Sequence, residues 1–211
     1  MIKFLILNFE VDLTFELLNS RLLFMILKRN FYNQNTVKAA QNLLGCVLAR
    51  KYKGKIVRGI ITEAEAYRGE DDLACHAARG RTERTEIMYG ESGRAYIYMI
   101  YGMYFMLNVV TEKKDFPAAV LIRGIEIAPS PLQGEGLGVR LNGPGKLTKF
   151  FHINKSLNGH DLTLGKKLWL EPRNDSKRLK IIKSPRVGVN YAKHCREWKW
   201  NFRIIDSRGK I

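Results

Sequence analysis

The spacing of apolar and polar residues changes several times along this chain, and each change marks an element. Residues 35–44 (Asn-Thr-Val-Lys-Ala-Ala-Gln-Asn-Leu-Leu) open on a capping residue and close at Gly45, the punctuation of a short helix. Two runs rich in β-branched and apolar residues follow, 46–52 and 55–67, and Lys53-Gly54 between them predicts a hairpin. After a polar loop at 68–92, the segments 94–101 and 104–110 predict strands broken at Gly102, and 118–127 predicts another. Residues 129–140 are rich in Gly and Pro without a periodic apolar face, which predicts an irregular loop. Asn142-Gly-Pro-Gly-Lys-Leu-Thr-Lys is a turn opening a helix to about Phe151, whose amino end and lysines suit a phosphate. Segments 162–170 and 185–190 complete the predicted strands, with the basic stretch 173–186 between them. The sum is an α+β fold: one domain, a mostly antiparallel curved sheet at its core, helices around it.

Length changes this picture little, since 211 residues with 45% hydrophobic content build one sizeable core. The domain is expected over 29–211. Residues 1–28 stand apart as an atypical extension: apolar patches at 4–7 and 22–27 flank Glu10, Asp12 and Glu16. Those acids argue against a secretory leader, and the patches are too short to span a bilayer. Two readings stay open, an extra amphipathic segment or translated sequence upstream of a natural start at Met25.

Charge adds a partner. The net charge is +16, and it is uneven: +3 over residues 1–50, +1 over 51–128 and +12 over 129–211. A basic field of this kind favours a polyanion, phosphate backbone first and anionic membrane second. Three cysteines without a CxxC pair indicate neither a disulfide framework nor a thiolate metal site, which fits a reducing cytoplasm. Cys75 beside His76 is read as an incidental pair. The four histidines show no metal-binding spacing, so no metal and no cofactor are expected.

The candidate chemistry lies between Ile61 and Asn108. In the strand at 56–66, alternation puts Val57, Ile61, Glu63 and Glu65 on one face, with Gly59 interrupting it. Two solvated surface glutamates are the plain alternative. Arg123 weighs against it, because it stands in Ala-Ala-Val-Leu-Ile-Arg-Gly-Ile-Glu-Ile, a strand apolar on both faces. A buried guanidinium needs a paired carboxylate, which would remain ionised, the state a general base requires. Tyr96, Tyr98, Tyr101 and Tyr104 crowd the same region near a chain break at Gly102. Tyrosines at strand spacing are usually core anchors, but acids, a histidine and clustered tyrosines together suit a pocket that grips a flat ring and presents a base to it. In proteins that work on single bases, aromatics also stack on the extruded base or fill the vacated stack.

Six ordered motifs carry a resemblance: Thr62-Glu-Ala-Glu-Ala-Tyr, His76, Tyr96-Ile-Tyr-Met-Ile-Tyr-Gly-Met-Tyr-Phe with Asn108, Val120-Leu-Ile-Arg-Gly-Ile-Glu, Asn142-Gly-Pro-Gly-Lys-Leu and Arg186-Val-Gly-Val. From about residue 29 to 205 the chain resembles the alkyladenine (3-methyladenine) DNA glycosylase family. The resemblance implies a base-excision-repair enzyme that flips alkylated purines, with deaminated ones as further candidates, out of double-stranded DNA and hydrolyses the N-glycosidic bond. By position it makes Glu65 the base that activates water, with Glu63 a neighbour and Arg123 helping to hold that water. Tyr67, His76, Tyr98 and Asn108 become the base pocket. Tyr101 becomes the wedge, with Met103, Tyr104 and Lys146 as further DNA contacts, and the backbone around Val187 and Val189 orients the water. A monomer acting at the nucleoid in a bacterial-type cytoplasm is implied.

The chemistry agrees with these residues. Departure of the base leaves oxocarbenium character on the sugar, which an ionised carboxylate stabilises while it deprotonates water. An N-alkylated purine is cationic, and stacking between tyrosines adds a cation-π term of about 0.5–2 kcal/mol. No lysine stands within the motif core as an amine nucleophile, which points to a monofunctional enzyme. The chain departs from the family at 129–140, where a helical segment is usual, and in stopping at Ile211. The competing reading is a non-catalytic basic nucleic-acid-binding domain of related architecture, as in the tRNA-contacting domain of formyltransferases. Such a domain has no need of Glu65, Arg123 and the tyrosines together.

Overall fold

The structure, a computed structural model, describes residues 26–127, 139–173 and 178–205. Two short helices, α1 (Arg29–Tyr32) and α2 (Thr36–Asn42), precede strands β1 (Val47–Tyr52), β2 (Lys55–Arg68), β3 (Ala95–Ile100), β4 (Tyr104–Val110) and β5 (Ala118–Ile127). Then come β6 (Val139–Asn142), α3 (Pro144–Phe150), β7 (Leu168–Glu171), β8 (Ile181–Ser184) and β9 (Asn201–Ile204). All described strand pairs are antiparallel, in a sheet ordered β3-β4-β5-β2-β1-β7, with β6 on β5 and β8 joined through β9 to β2. The α+β, single-domain expectation holds.

Local chemistry explains the boundaries. The Asn35 side chain accepts from the N–H groups of Val37 and Lys38 and starts α2. Lys53 and Gly54, with φ of 47° and 78°, turn the β1–β2 hairpin. The core lies between the sheet and α2 and α3, where Leu43 and Leu44 meet Ile61, Ala64, Ala66, Ile122, Ile125, Leu147 and Phe151. Gly59 sits under that layer because a side chain there would strike Ile125 and Ile127.

Four expectations change. Residues 185–190 form a turn rather than a strand, with Gly188 at φ 79° and the Val187 N–H turned away from any sheet partner. The missing sheet length comes from β8 and β9, neither of which was expected. The strand expected at 162–170 shrinks to β7, because the Leu162 N–H donates across to the Gly93 carbonyl while Thr163 and Leu164 turn back onto Asp161. Val139 and Arg140, expected in a loop, open β6 by pairing with Ile127 and Glu126. The remainder of that loop to residue 138, and the N-terminal extension through Met25, lie outside the described residues. Ile26 and Leu27 are buried, Ile26 against Ala49 and Trp169, while the Leu27 N–H donates to the Leu170 carbonyl at 2.8 Å.

The fourth change positions the chemistry. Pairing of β2 with β5 shifts register between Ile61 and Glu63 and again between Glu63 and Ala64, so Thr62 on β2 and Arg123 on β5 are extra residues in a double bulge. An extra residue reverses the alternation. Ile61 therefore shares the core face with Ala64 and Ala66, while Glu63 and Glu65 turn to the opposite face, away from Val57 and Ile61. Simple alternation had placed all four together.

Candidate active site

Strand β2 has different neighbours along its length: β1 pairs with it up to Ile60, then β9 takes over at Glu63 to Glu65. Asn201 lies opposite Glu65 and Arg203 opposite Glu63, so both acids face a polar edge built by β9. Asn201 Nδ2 donates to Glu63 Oε1 and to Glu65 Oε1, each at 2.8 Å. From β5, Arg123 Nε donates to Glu63 Oε1 at 3.2 Å and lies 3.5 Å from Glu65 Oε1. Arg123 is largely buried and paired, as its apolar strand required.

Glu65 is 0% exposed. Its Oε1 also accepts from the Val187 N–H at 2.8 Å, and its Oε2 accepts from Tyr67 Oη at 2.9 Å. Every contact uses Glu65 as an acceptor, the role of a carboxylate. Burial and the adjacent Glu65 raise the Tyr67 hydroxyl well above its ordinary range, so it stays a donor. Behind Tyr67, a fully buried ion pair joins Arg186 to Asp72 at 2.5 and 2.7 Å, and the guanidinium lies 4.8 Å from the Tyr67 ring centroid.

In front of this network opens a cavity of about 740 Å³, lined among others by Tyr67, His76, Tyr98, Asn108, Arg123 and Val187. Glu65 is behind that wall rather than on it. His76 begins a 3₁₀ turn (His76–Arg79), and its ring meets Tyr98 edge-on with centroids 4.5 Å apart. His76 Nδ1 is 2.8 Å from Tyr96 Oη and Nε2 is 3.4 Å from Arg84 Nη2. Arginine can only donate, so Nε2 accepts and Nδ1 carries the hydrogen. Burial, with Arg84 and Arg79 beside it, pushes the imidazole down to about 4 and keeps it neutral near pH 7. Tyr98 is raised, by burial and then by Tyr96, and the Arg84 guanidinium lies 5.1 Å from its ring centroid. Asn108 is buried and donates to the carbonyls of Tyr96 and Met106 at 3.1 and 3.3 Å. Cys75 is buried, and burial pushes its thiol up to about 12, a poor nucleophile beside His76.

The β3–β4 hairpin carries the exposed aromatics. Tyr101 and Gly102 have φ of 50° and 66°, and Tyr101 is 83% exposed, with Met103 at 65% beside it. Tyr104 packs on Gly145, where a side chain would meet its ring, and this brings exposed Lys146 to the same rim. Val189, buried with Ala74, Ala192 and Cys195, lines the same cavity as Val187. Glu65, Arg123, Tyr67, His76, Tyr98, Asn108, Val187 and Val189 thus converge, while Tyr101, Tyr104 and Lys146 border the opening and Met103 stands exposed on the same hairpin. Asn201, Arg203, Arg84 and Asp72 belong to the same constellation and were not singled out from sequence. Residues 198–204, Trp-Lys-Trp-Asn-Phe-Arg-Ile, alternate strictly, and that period was a readable strand signal for the first two.

Comparison with known proteins supplies the family. Residues 30–208 match the methylpurine-DNA glycosylase (MPG) family. Relatives named "Putative 3-methyladenine DNA glycosylase" include one from Sodalis glossinidius, 47% identical over 85% of this chain and 97% of its own length. A second, from Wolbachia of Brugia malayi, is 44% identical over 85% of this chain and 98% of its own. A third, from Methanocella arvoryzae, is 42% identical over 84% and 91%. With a match of this extent across the strands and loops that build the site, the chain belongs to the methylpurine-DNA glycosylase family.

Proposed function

We propose that this protein removes methylated purines from double-stranded DNA by hydrolysing the N-glycosidic bond, with Glu65 as the base that activates water. Family membership makes it a DNA glycosylase. The observation that carries the assignment of the base is the setting of Glu65: a sealed carboxylate, held by Val187, Asn201, Tyr67 and Arg123, directly behind an aromatic cavity. Its Oε1 already accepts two hydrogen bonds beside a guanidinium, whereas Oε2 accepts only from Tyr67. Oε2 is thus the oxygen with capacity left for a proton from water. The same charge, near the sugar carbon, stabilises oxocarbenium character as the base leaves.

The cavity suits an extruded purine. Tyr67 and Tyr98 supply ring faces, His76 supplies a neutral edge with Nε2 accepting, and Tyr101 projects where it could replace the flipped nucleotide in the stack. A cationic methylated base gains from stacking on these rings by roughly 0.5–2 kcal/mol and is a better leaving group. Deaminated purines belong to the same proposal, since they share the flat ring. Arg123 and the backbone around Val187 are assigned to holding the water.

Free base released from methylated duplex DNA tests the reading. Glu65→Gln keeps the shape but loses the charge, and we expect release to fall by roughly 10²–10⁴-fold while duplex binding stays. Undiminished release by Glu65→Gln would remove Glu65 from its role. Binding by the parent protein without any release would favour a nucleic-acid-binding domain instead.

A further inference from the structure

Glu63 makes a second use of the donors that hold Glu65. Asn201 Nδ2 is 2.8 Å from Oε1 of both acids, and Arg123 Nε is nearer Glu63 (3.2 Å) than Glu65 (3.5 Å). Glu63 differs in its surroundings. It borders a separate polar cavity of about 240 Å³ with Thr62, Arg123, Arg140, Asn142 and Arg203, and Arg203 Nη2 lies 3.3 Å from Glu63 Oε1. Glu65 lines neither cavity. The pair is therefore asymmetric: one sealed carboxylate and one with its own outer cation, both pulling on a single guanidinium N–H while the Asn201 amide gives one hydrogen to each.

We propose that Glu63 is a positioning residue that draws the Arg123 guanidinium off Glu65 and so leaves the base free to take a proton, with Arg203 setting how strongly it does so. This rests on the assignment of Glu65 as the base. A carboxylate tied wholly to a guanidinium binds a proton poorly, and a base that binds a proton poorly abstracts one slowly. A second negative charge competing for that guanidinium offsets its hold on the base. Arg203 works the other way, because it partly neutralises the competitor.

Two substitutions should thus act in opposite directions. Glu63→Gln retains an oxygen that accepts from Asn201 and Arg123 but removes the charge. The acidic limb of the single-turnover rate–pH profile should move down by about 1 pH unit, and the plateau rate should fall. Arg203→Gln leaves Glu63 without its outer cation, and the limb should move up by about 0.3 unit or more. The other groups around Glu65 remain in both variants: Tyr67 on β2, Tyr98 on β3, Arg123 on β5, and the Arg186–Asp72 pair. His76, pushed down to about 4, is touched by neither substitution, so its contribution is common to all profiles.

The experiment follows release of free base from methylated duplex DNA by the full chain from about pH 3 to 8, a range that reaches below the ordinary carboxylate values and above the imidazole ones. Duplex affinity is measured in parallel, and Glu65→Gln serves as the inactive reference. Opposite shifts with affinity unchanged support the proposal. Profiles that coincide with the parent, or that move in the same direction in both variants, overturn it. Release by Glu65→Gln would instead overturn the role of Glu65 itself, so the two failures are distinguishable.

Discussion

Arg186 and Asp72 have side chains wholly removed from solvent, and each depends on the other. Asp72 also accepts from the N–H groups of Arg68 and Ala74, and Arg186 donates to the Ala66 carbonyl. Breaking such a pair leaves an uncompensated buried charge, so Asp72→Asn is expected to cost about 3–5 kcal/mol, read by chemical denaturation. Loss under about 1 kcal/mol would show that the pair is not a structural brace for Tyr67. His76 gives the second prediction at this scale. Its imidazole is depressed from 6.5 to about 4 in the folded protein, so the unfolded chain binds more protons between those values. Stability is therefore full above about pH 6.5 and declines as pH falls toward 4, and His76→Gln should flatten that part of the unfolding profile. These residue-level facts were only partly legible. Arg123 demanded a partner because it stands among apolar residues on both faces of its strand, but Asp72 and Arg186 are 114 positions apart and no local pattern joins them.

At the scale of elements, the β3–β4 hairpin sets a bulky residue in the left-handed region at Tyr101. Backbone of that kind costs a non-glycine residue of order 1 kcal/mol, and strain of this sort collects at functional sites. Tyr101→Gly should stabilise the hairpin slightly. If Tyr101 is the wedge proposed above, the substitution should also lower excision from duplex DNA by more than about 10-fold while excision from single strands changes little, because a wedge acts only when a stack must be filled. Equal loss on both substrates, or none on duplex, would sink the wedge assignment. Most elements could be read from periodicity and punctuation: α2, the β1–β2 and β3–β4 hairpins, β5 and α3 lie near their expected places. The turn at 185–190 could not. Its apolar run, Val-Gly-Val after Arg186, resembles a strand, and it leaves the sheet because Gly188 takes positive φ and the Val187 N–H is committed to Glu65.

For the whole molecule, a net charge of +16 with +12 in the last 83 residues gives a long-range attraction for polyanions. If these cations neutralise phosphates on binding, counterions are released, and affinity for duplex DNA should drop by about 10³-fold or more from 50 to 200 mM salt. A flat salt profile, measured by equilibrium titration, would separate the basic C-terminal region from DNA binding. The sheet supplies the rigid frame for that encounter, with the aromatic cavity and the Tyr101 hairpin at one opening.

The sequence alone determined the class of fold, the order of most elements and the motifs that place this chain among methylpurine-DNA glycosylases, because periodicity, turn residues and residue type are local or ordered properties. Which face Glu63 and Glu65 occupy was decided only by tertiary structure. A one-residue bulge at Thr62 reverses every later side chain, and a bulge is defined by the partner strand rather than by the strand that contains it. The same holds for the donors around Glu65. Asn201 lies 136 positions away, on a strand whose pairing with β2 begins where β1 leaves off, and only that exchange of neighbours brings its amide between the two acids.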